Sequence, residues 1–168
     1  MEEVAVAPVS MERTRGMSEH PTELLLVEDN PHDLELMLHV LNKHKLANHI
    51  KVVRDGEEAL EVLFGAEGEA SSPLESIPKV ILLDLKLPKV NGLEVLRKVK
   101  ADPRTKLIPV VVLTSSREDR DLFLCYELGV NSYIVKPVDF SRFTEAVRQL
   151  GLYWLLFNER PLALQLQT

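Results

Sequence analysis

A chain of 168 residues, 45% of them hydrophobic, is long enough to bury one substantial core and short for two. A net charge of -6 and a pI near 5.4, with no block of Lys and Arg, exclude a general nucleic-acid binder and direct the search for partners to proteins and small ions. The single cysteine, Cys125, excludes an internal disulfide and a thiolate metal motif; no apolar run reaches the roughly 18 residues of a membrane span, and no secretory signal opens the chain, so a cytoplasmic protein is expected.

Residues 1–21 mix Glu, Pro, Ser, Arg and Met without a lasting period and read as a flexible tail. Thr22 to Val27 is a short apolar strand that ends in Glu28-Asp29-Asn30. Asn30 is a natural N-cap and Pro31 a favoured first helical residue. Leu34, Met37, Leu38 and Leu41 then recur at three- and four-residue spacing, which predicts an amphipathic helix over 31–44. Ile50 to Val53 reads as a second strand, and Asp55-Gly56 as the turn into a helix carrying Ala59, Leu60, Val62 and Leu63. Residues 65–78 hold two Gly, two Pro and three Ser and break every period, so a solvent-exposed inserted loop is expected there.

Val80 to Leu83 is continuously apolar, as in a strand covered on both faces, and it delivers Asp84 to the loop that follows. Leu87-Pro88 and Asn91-Gly92 punctuate that loop before Leu93, Leu96 and Val99 resume helical spacing to about Lys100. A fourth strand over Ile108 to Leu113, with Pro109 near its start, ends at Thr114-Ser115-Ser116. A helix over 117–128 stops at Gly129, a fifth strand over Asn131 to Val135 leads to Lys136-Pro137, and Asp139 caps a last helix with Phe143, Val147 and Leu150 inward.

Five strand-helix units in sequence predict an α/β fold: a five-stranded doubly wound parallel sheet in the order 2-1-3-4-5. That order sets the ends of strands one and three side by side at the carboxyl edge, so Glu28, Asp29 and Asp84 converge. Three carboxylates in one cleft repel unless something positive is bound. Lys136 returns one positive charge and Mg²⁺, a hard ion that prefers oxygen ligands, balances the rest. Mg²⁺, an ammonium and the Thr114 hydroxyl together suit the oxygens of a phosphoryl group in transfer, with Asp84 as the nucleophile. Taken singly, Lys136 reads as a surface lysine, Thr114 as a strand-end hydroxyl and Tyr133 as a half-buried strand aromatic; their order along one sheet edge is what joins them.

Over residues 22–150 the chain resembles the receiver domain of two-component response regulators. The resemblance rests on Glu28-Asp29, on Asp84 within LLDLKLPKVNG, on Thr114 within VVLTSS and on Lys136-Pro137. It implies that Asp84 is the phosphoacceptor, that Asp29 and Asp84 ligate Mg²⁺ directly with Glu28 acting through water, and that the main-chain carbonyl of Lys86 is a further ligand. It also implies that Thr114 and Lys136 bind the phosphoryl group, that Thr114 and Tyr133 form the switch pair, and that Lys86 and Ser116 occupy positions that tune the phosphate lifetime. The implied phosphodonor is a sensor histidine kinase or a phosphotransfer protein.

After Leu150 about one helix-length remains, which leaves no room for an output domain, so signalling by contact with another protein is expected. Residues 151–168 read as an extension of the last helix plus a tail, and its apolar run Leu152 to Phe157 exceeds what the core needs. In this the chain is similar to the single-domain regulators paired with phytochrome-type kinases, which implies a symmetric homodimer through the fourth helix, fifth strand and fifth helix. Leu122, Tyr126, Tyr153, Trp154 and Phe157 are the interface candidates, and neither nucleic acid nor membrane is an expected partner. Two other classes of function compete. A phosphohydrolase resembling the haloacid dehalogenases needs a second Asp where Lys86 stands, and a pseudo-receiver would interact without phosphate chemistry.

Overall fold

Apolar sequence that continues without a polar break can be satisfied in a strand only if both faces of the sheet are covered. Three segments meet that condition, being buried at every position: β1 (Leu24–Val27), β3 (Val80–Leu83) and β4 (Val110–Thr114). The computed structural model describes residues 22–65 and 77–161. In it these strands form the centre of a five-stranded parallel sheet, flanked by β2 (Ile50–Val53) and β5 (Ser132–Val135), in the expected order β2-β1-β3-β4-β5. β5 is an edge strand and is half-buried throughout.

Successive side chains point to opposite faces, so each strand serves two cores. Leu25, Val27, Ile81, Leu83, Val110 and Val112 join one cluster with residues of α2 (Gly56–Phe64), α3 (Gly92–Ala101) and α4 (Asp119–Glu127). Leu24, Leu26, Val80, Leu82, Val111 and Leu113 join the other, with α1 (Pro31–Lys43) and α5 (Phe140–Gly151). Asn30 caps α1 as expected, its side chain accepting from His32 and Asp33 N–H. Val40 completes the inward face of that helix, where Leu38 is only half-buried. α4 closes in a Schellman turn: Gly129, at φ 92°, donates to Tyr126 and Val130 to Cys125. Cys125 is fully buried, in keeping with an inert packing role.

Beyond shifts of a residue at the ends of α1, β4 and β5, the structure differs from the sequence reading at several points. Pro109 precedes β4 instead of lying in it, and its carbonyl accepts from Ile81 N–H. α4 begins at Asp119, two residues after the expected start. Within the expected exposed loop over 65–78, Ile77 and Pro78 are buried and Ile77 joins the core below α2, while 66–76 lie outside the described residues, as do 1–21 and 162–168. After Gly151 the last helix widens into a π-helical segment (Leu152–Phe157), with Asn158 N–H bonded to Tyr153 carbonyl at 2.7 Å.

That segment divides its apolar side chains. Leu155 is buried against α1 and α5, with Leu152 and Trp154 partly covered by the same core, whereas Tyr153, Leu156 and Phe157 are exposed. Trp154, an interface candidate from sequence, is half-buried and packs partly inward, edge-on to Tyr153 with ring centroids 5.0 Å apart.

The loop after β3 is held by a close approach. Gly92 N–H donates to Leu85 carbonyl at 2.8 Å, and a β-carbon on Gly92 would lie 2.2 Å from the Asp84 carbonyl oxygen. Gly92→Ala should therefore lower the unfolding free energy by about 1–3 kcal/mol in chemical denaturation, the usual cost of overpacking against backbone.

Candidate functional site

β1 and β3 are neighbours in register, Val27 opposite Leu83, so the residues that follow each strand leave the sheet together. Asp84 N–H donates to Val27 carbonyl at 3.1 Å and Glu28 N–H to Val53 carbonyl at 3.1 Å, which fixes both acids to the sheet edge. Glu28, Asp29 and Asp84 can each offer one oxygen with all three within 4.8 Å of one another. Glu28 and Asp84 are buried and Asp29 is half-buried, so the cluster opens to solvent on the Asp29 side. Lys86 N–H donates to Asp84 Oδ1 at 3.3 Å, which lays the Lys86 main chain against that carboxylate.

Lys136 reaches the same point from the end of β5, where its N–H donates to Thr114 carbonyl at 2.7 Å. Its Nζ contacts Glu28 Oε2 at 2.7 Å, Asp33 Oδ2 at 2.9 Å and Asp84 Oδ2 at 3.0 Å. The Lys136 side chain is 9% exposed. Burial opposes its charge, but hydrogen bonds and attraction from Glu28, Asp33 and Asp84 outweigh burial and raise its pKa. Burial also pushes the Glu28 carboxyl up to about 7, Lys136 opposing and the Asp84 charge adding to the rise.

Asp33 was not anticipated from the sequence. As an acid in the first turn of α1 it reads as an ordinary partner of the helix dipole. The signal that places it is its position three residues beyond the N-cap Asn30, which sets the turn at the carboxyl edge of the sheet.

Thr114 is fully buried and its Oγ1 accepts from Ser116 N–H at 3.2 Å. Ser116 is in turn held on two sides: its Oγ donates to Asp121 Oδ2 of α4 at 2.6 Å, and its carbonyl accepts from the Tyr133 hydroxyl at 3.2 Å. The structure thus joins Thr114 and Tyr133 through Ser116, which also contacts Asp121 of α4. A cavity of about 680 Å³ between α2 and α3 contains none of these groups.

Three carboxylates about one ammonium, with Asp29 beside two of them, leave the site rich in acids, and the oxygen-only donor set of Glu28, Asp29 and Asp84 fits a hard divalent cation. The sign of the Glu28 shift gives a test in metal-free buffer. A carboxyl raised from 4.5 to about 7 stabilises the fold below the lower value and loses that contribution as pH rises through the higher. The stability of the wild type relative to Glu28→Gln should therefore fall by roughly 1–3 kcal/mol between those two pH values in equilibrium unfolding.

Similarity to known proteins follows the same residues. The family model described as the response regulator receiver domain matches residues 24–148. Response regulator Rcp1 of Synechocystis sp. is 38% identical over 138 residues, 82% of this chain and 92% of Rcp1, and the crystal structure of its Mn²⁺-bound form superposes with a TM-score of 0.74 over 84% of this chain and 99% of that one. A phosphorylated cyanobacterial phytochrome response regulator, RcpA, is 38% identical with a TM-score of 0.74, covering 84% of this chain and 99% of its own. The bacteriophytochrome response regulator AtBRR is 52% identical, with a TM-score of 0.58, over 83% of this chain and 99% of its own. With the matched model, the strand order and the acid cluster agreeing, the chain belongs to the response regulator receiver domain family of two-component signalling.

Proposed function

We propose that this receiver accepts a phosphoryl group on Asp84 from a phosphohistidine of a sensor histidine kinase or a phosphotransfer protein. The observation that carries the reading is the meeting of Asp84 with the Glu28-Asp29 pair on one side and the Lys136 ammonium on the other. In the transfer a carboxylate oxygen of Asp84 bonds to phosphorus, the phosphorus–nitrogen bond of the donor breaks, and the released imidazole keeps the electron pair. Lys136 passes its Asp84 contact to a phosphoryl oxygen, and Thr114, once its Oγ1 turns from Ser116 N–H, supplies a hydroxyl to another. Asp29 and Asp84, with Glu28 through water and the Lys86 carbonyl as a further ligand, would hold Mg²⁺, which would supply positive charge to offset that of the phosphoryl oxygens.

The product carries about one more negative charge at Asp84 together with new acceptor oxygens. Thr114, Ser116, Tyr133 and Asp121 form the path by which that charge biases α4 and β5. Output is a protein contact. The exposed Leu122 and Tyr126, joined by Phe123 at 62% exposure, and Tyr153, Leu156 and Phe157 of the π-helical segment supply apolar surface for it. A homodimer through α4, β5 and α5 fits these surfaces, and the resemblance to Rcp1, RcpA and AtBRR supports a phytochrome-type kinase as donor and a cytoplasmic setting. No helix among the described residues is long and apolar enough to cross a membrane.

Incubation with acetyl phosphate and Mg²⁺ should give one acid-labile phosphate per chain, read as a mass increase and lost in Asp84→Asn or on chelation of the metal. Labelling that survives in Asp84→Asn would move the acceptor elsewhere. Light scattering of the wild type should give a mass near twice 19.0 kDa. The double substitution Tyr153→Ser with Phe157→Ser should halve that mass without changing the rate of phosphate uptake.

A further inference from the structure

Lys136 Nζ has three N–H donors, and all three go to carboxylates: Glu28 after β1, Asp33 in the first turn of α1 and Asp84 after β3. These acceptors are not equivalent. Glu28 and Asp84 also belong with Asp29 to the cluster that fits a divalent cation, so their oxygens face two positive claimants. Asp33 is outside that cluster.

The local backbone explains why Asp33 is available. An acid at the third helical position ordinarily folds back onto the N-cap N–H. Here Asn30 N–H is already taken by Glu28 Oε1 at 3.0 Å, and the Asn30 side chain caps the N–H groups of His32 and Asp33. The Asp33 carboxylate is thus released from capping and extends across the edge of the site to Lys136, with 24% of its side chain exposed.

We propose that Asp33 is a positioning residue that keeps the Lys136 ammonium at the acceptor when Glu28 and Asp84 turn their oxygens to a divalent cation. The inference rests on reading the site as a metal-dependent phosphoacceptor. An ammonium and a divalent cation that share two carboxylates compete, and like charges a few ångströms apart repel. With Asp33 present the ammonium keeps an acceptor of its own beside α1, and both charges fit. Without it, the groups nearest to Lys136 are the same oxygens that the cation needs, so Lys136 holds them against the metal.

The test is a double-mutant cycle on the full chain, with Mg²⁺ affinity measured by titration calorimetry and the fold checked by thermal melting. Asp33→Ala should weaken Mg²⁺ binding about threefold to tenfold, the scale of coupling between contacting groups. Asp33→Asn, whose amide oxygen still accepts the Lys136 N–H, should weaken it less. In a Lys136→Met background, where no ammonium competes, the loss caused by Asp33→Ala should fall to about twofold or below. An equal loss in both backgrounds would show that Asp33 acts only as a distant charge and would overturn the proposal.

A second measurement needs no Lys136 variant. At saturating Mg²⁺, Asp33→Ala should take phosphate from acetyl phosphate more slowly than wild type, with the rate largely restored in Asp33→Asn; equal rates in wild type and Asp33→Ala would also overturn it. A wild type that binds no Mg²⁺ and takes no phosphate would remove the parent reading as well, whereas normal wild-type behaviour beside an unaffected Asp33→Ala would remove this inference alone.

Discussion

One buried ammonium ties this molecule together at its functional edge. Lys136 arrives from the edge strand β5 and meets carboxylates from the ends of β1 and β3 and from α1, contacts that span 108, 52 and 103 residues of sequence respectively. Removing either sign of charge from such an arrangement leaves the other uncompensated in a poorly solvated place, a loss larger than any single surface ion pair causes. The strand order makes the arrangement possible. With β3 central and β1 beside it, Glu28 and Asp84 are fixed by backbone hydrogen bonds before any side chain contributes, so the site is a property of the sheet.

From that edge a second chain of contacts leads away. Thr114 is entirely buried, and its hydroxyl oxygen accepts from Ser116 N–H, so a rotation that carries this oxygen away breaks that bond. Ser116 is tied to Asp121 and Tyr133, which belong to α4 and β5. α4 contributes one fully buried side chain, Cys125, while Leu122, Phe123 and Tyr126 face solvent. A helix anchored by so little core is of the kind that opens at low local cost.

The sequence made the sheet and the ends of its strands legible because buried parallel strands leave an unambiguous signature: unbroken apolar runs, each ending in a polar residue of a kind suited to chemistry. Asp84, Glu28-Asp29, Thr114 and Lys136 could be joined for that reason. Asp33 was hidden because first-turn acids are common for reasons of helix electrostatics, and only the occupation of the Asn30 N–H by Glu28 releases it. Ile77 and Pro78 were hidden by the composition of their neighbours, since a Gly- and Ser-rich stretch masks two residues that return to the core at its end. The inward turn of Trp154 depends on helical winding, which hydrophobic content does not encode.

The π-helical segment after α5 sets the outward bearing of Tyr153, Leu156 and Phe157 relative to Leu155. In α-helical winding each residue turns the chain by about 100°, and in the wider π winding by somewhat less. Gain or loss of a single residue between Gly151 and Leu155 would therefore swing the aromatic rim to a new compass point while the phosphate chemistry stayed intact. The bearing of that apolar surface is thus set by a short spacer, separate from the residues at the carboxyl edge of the sheet.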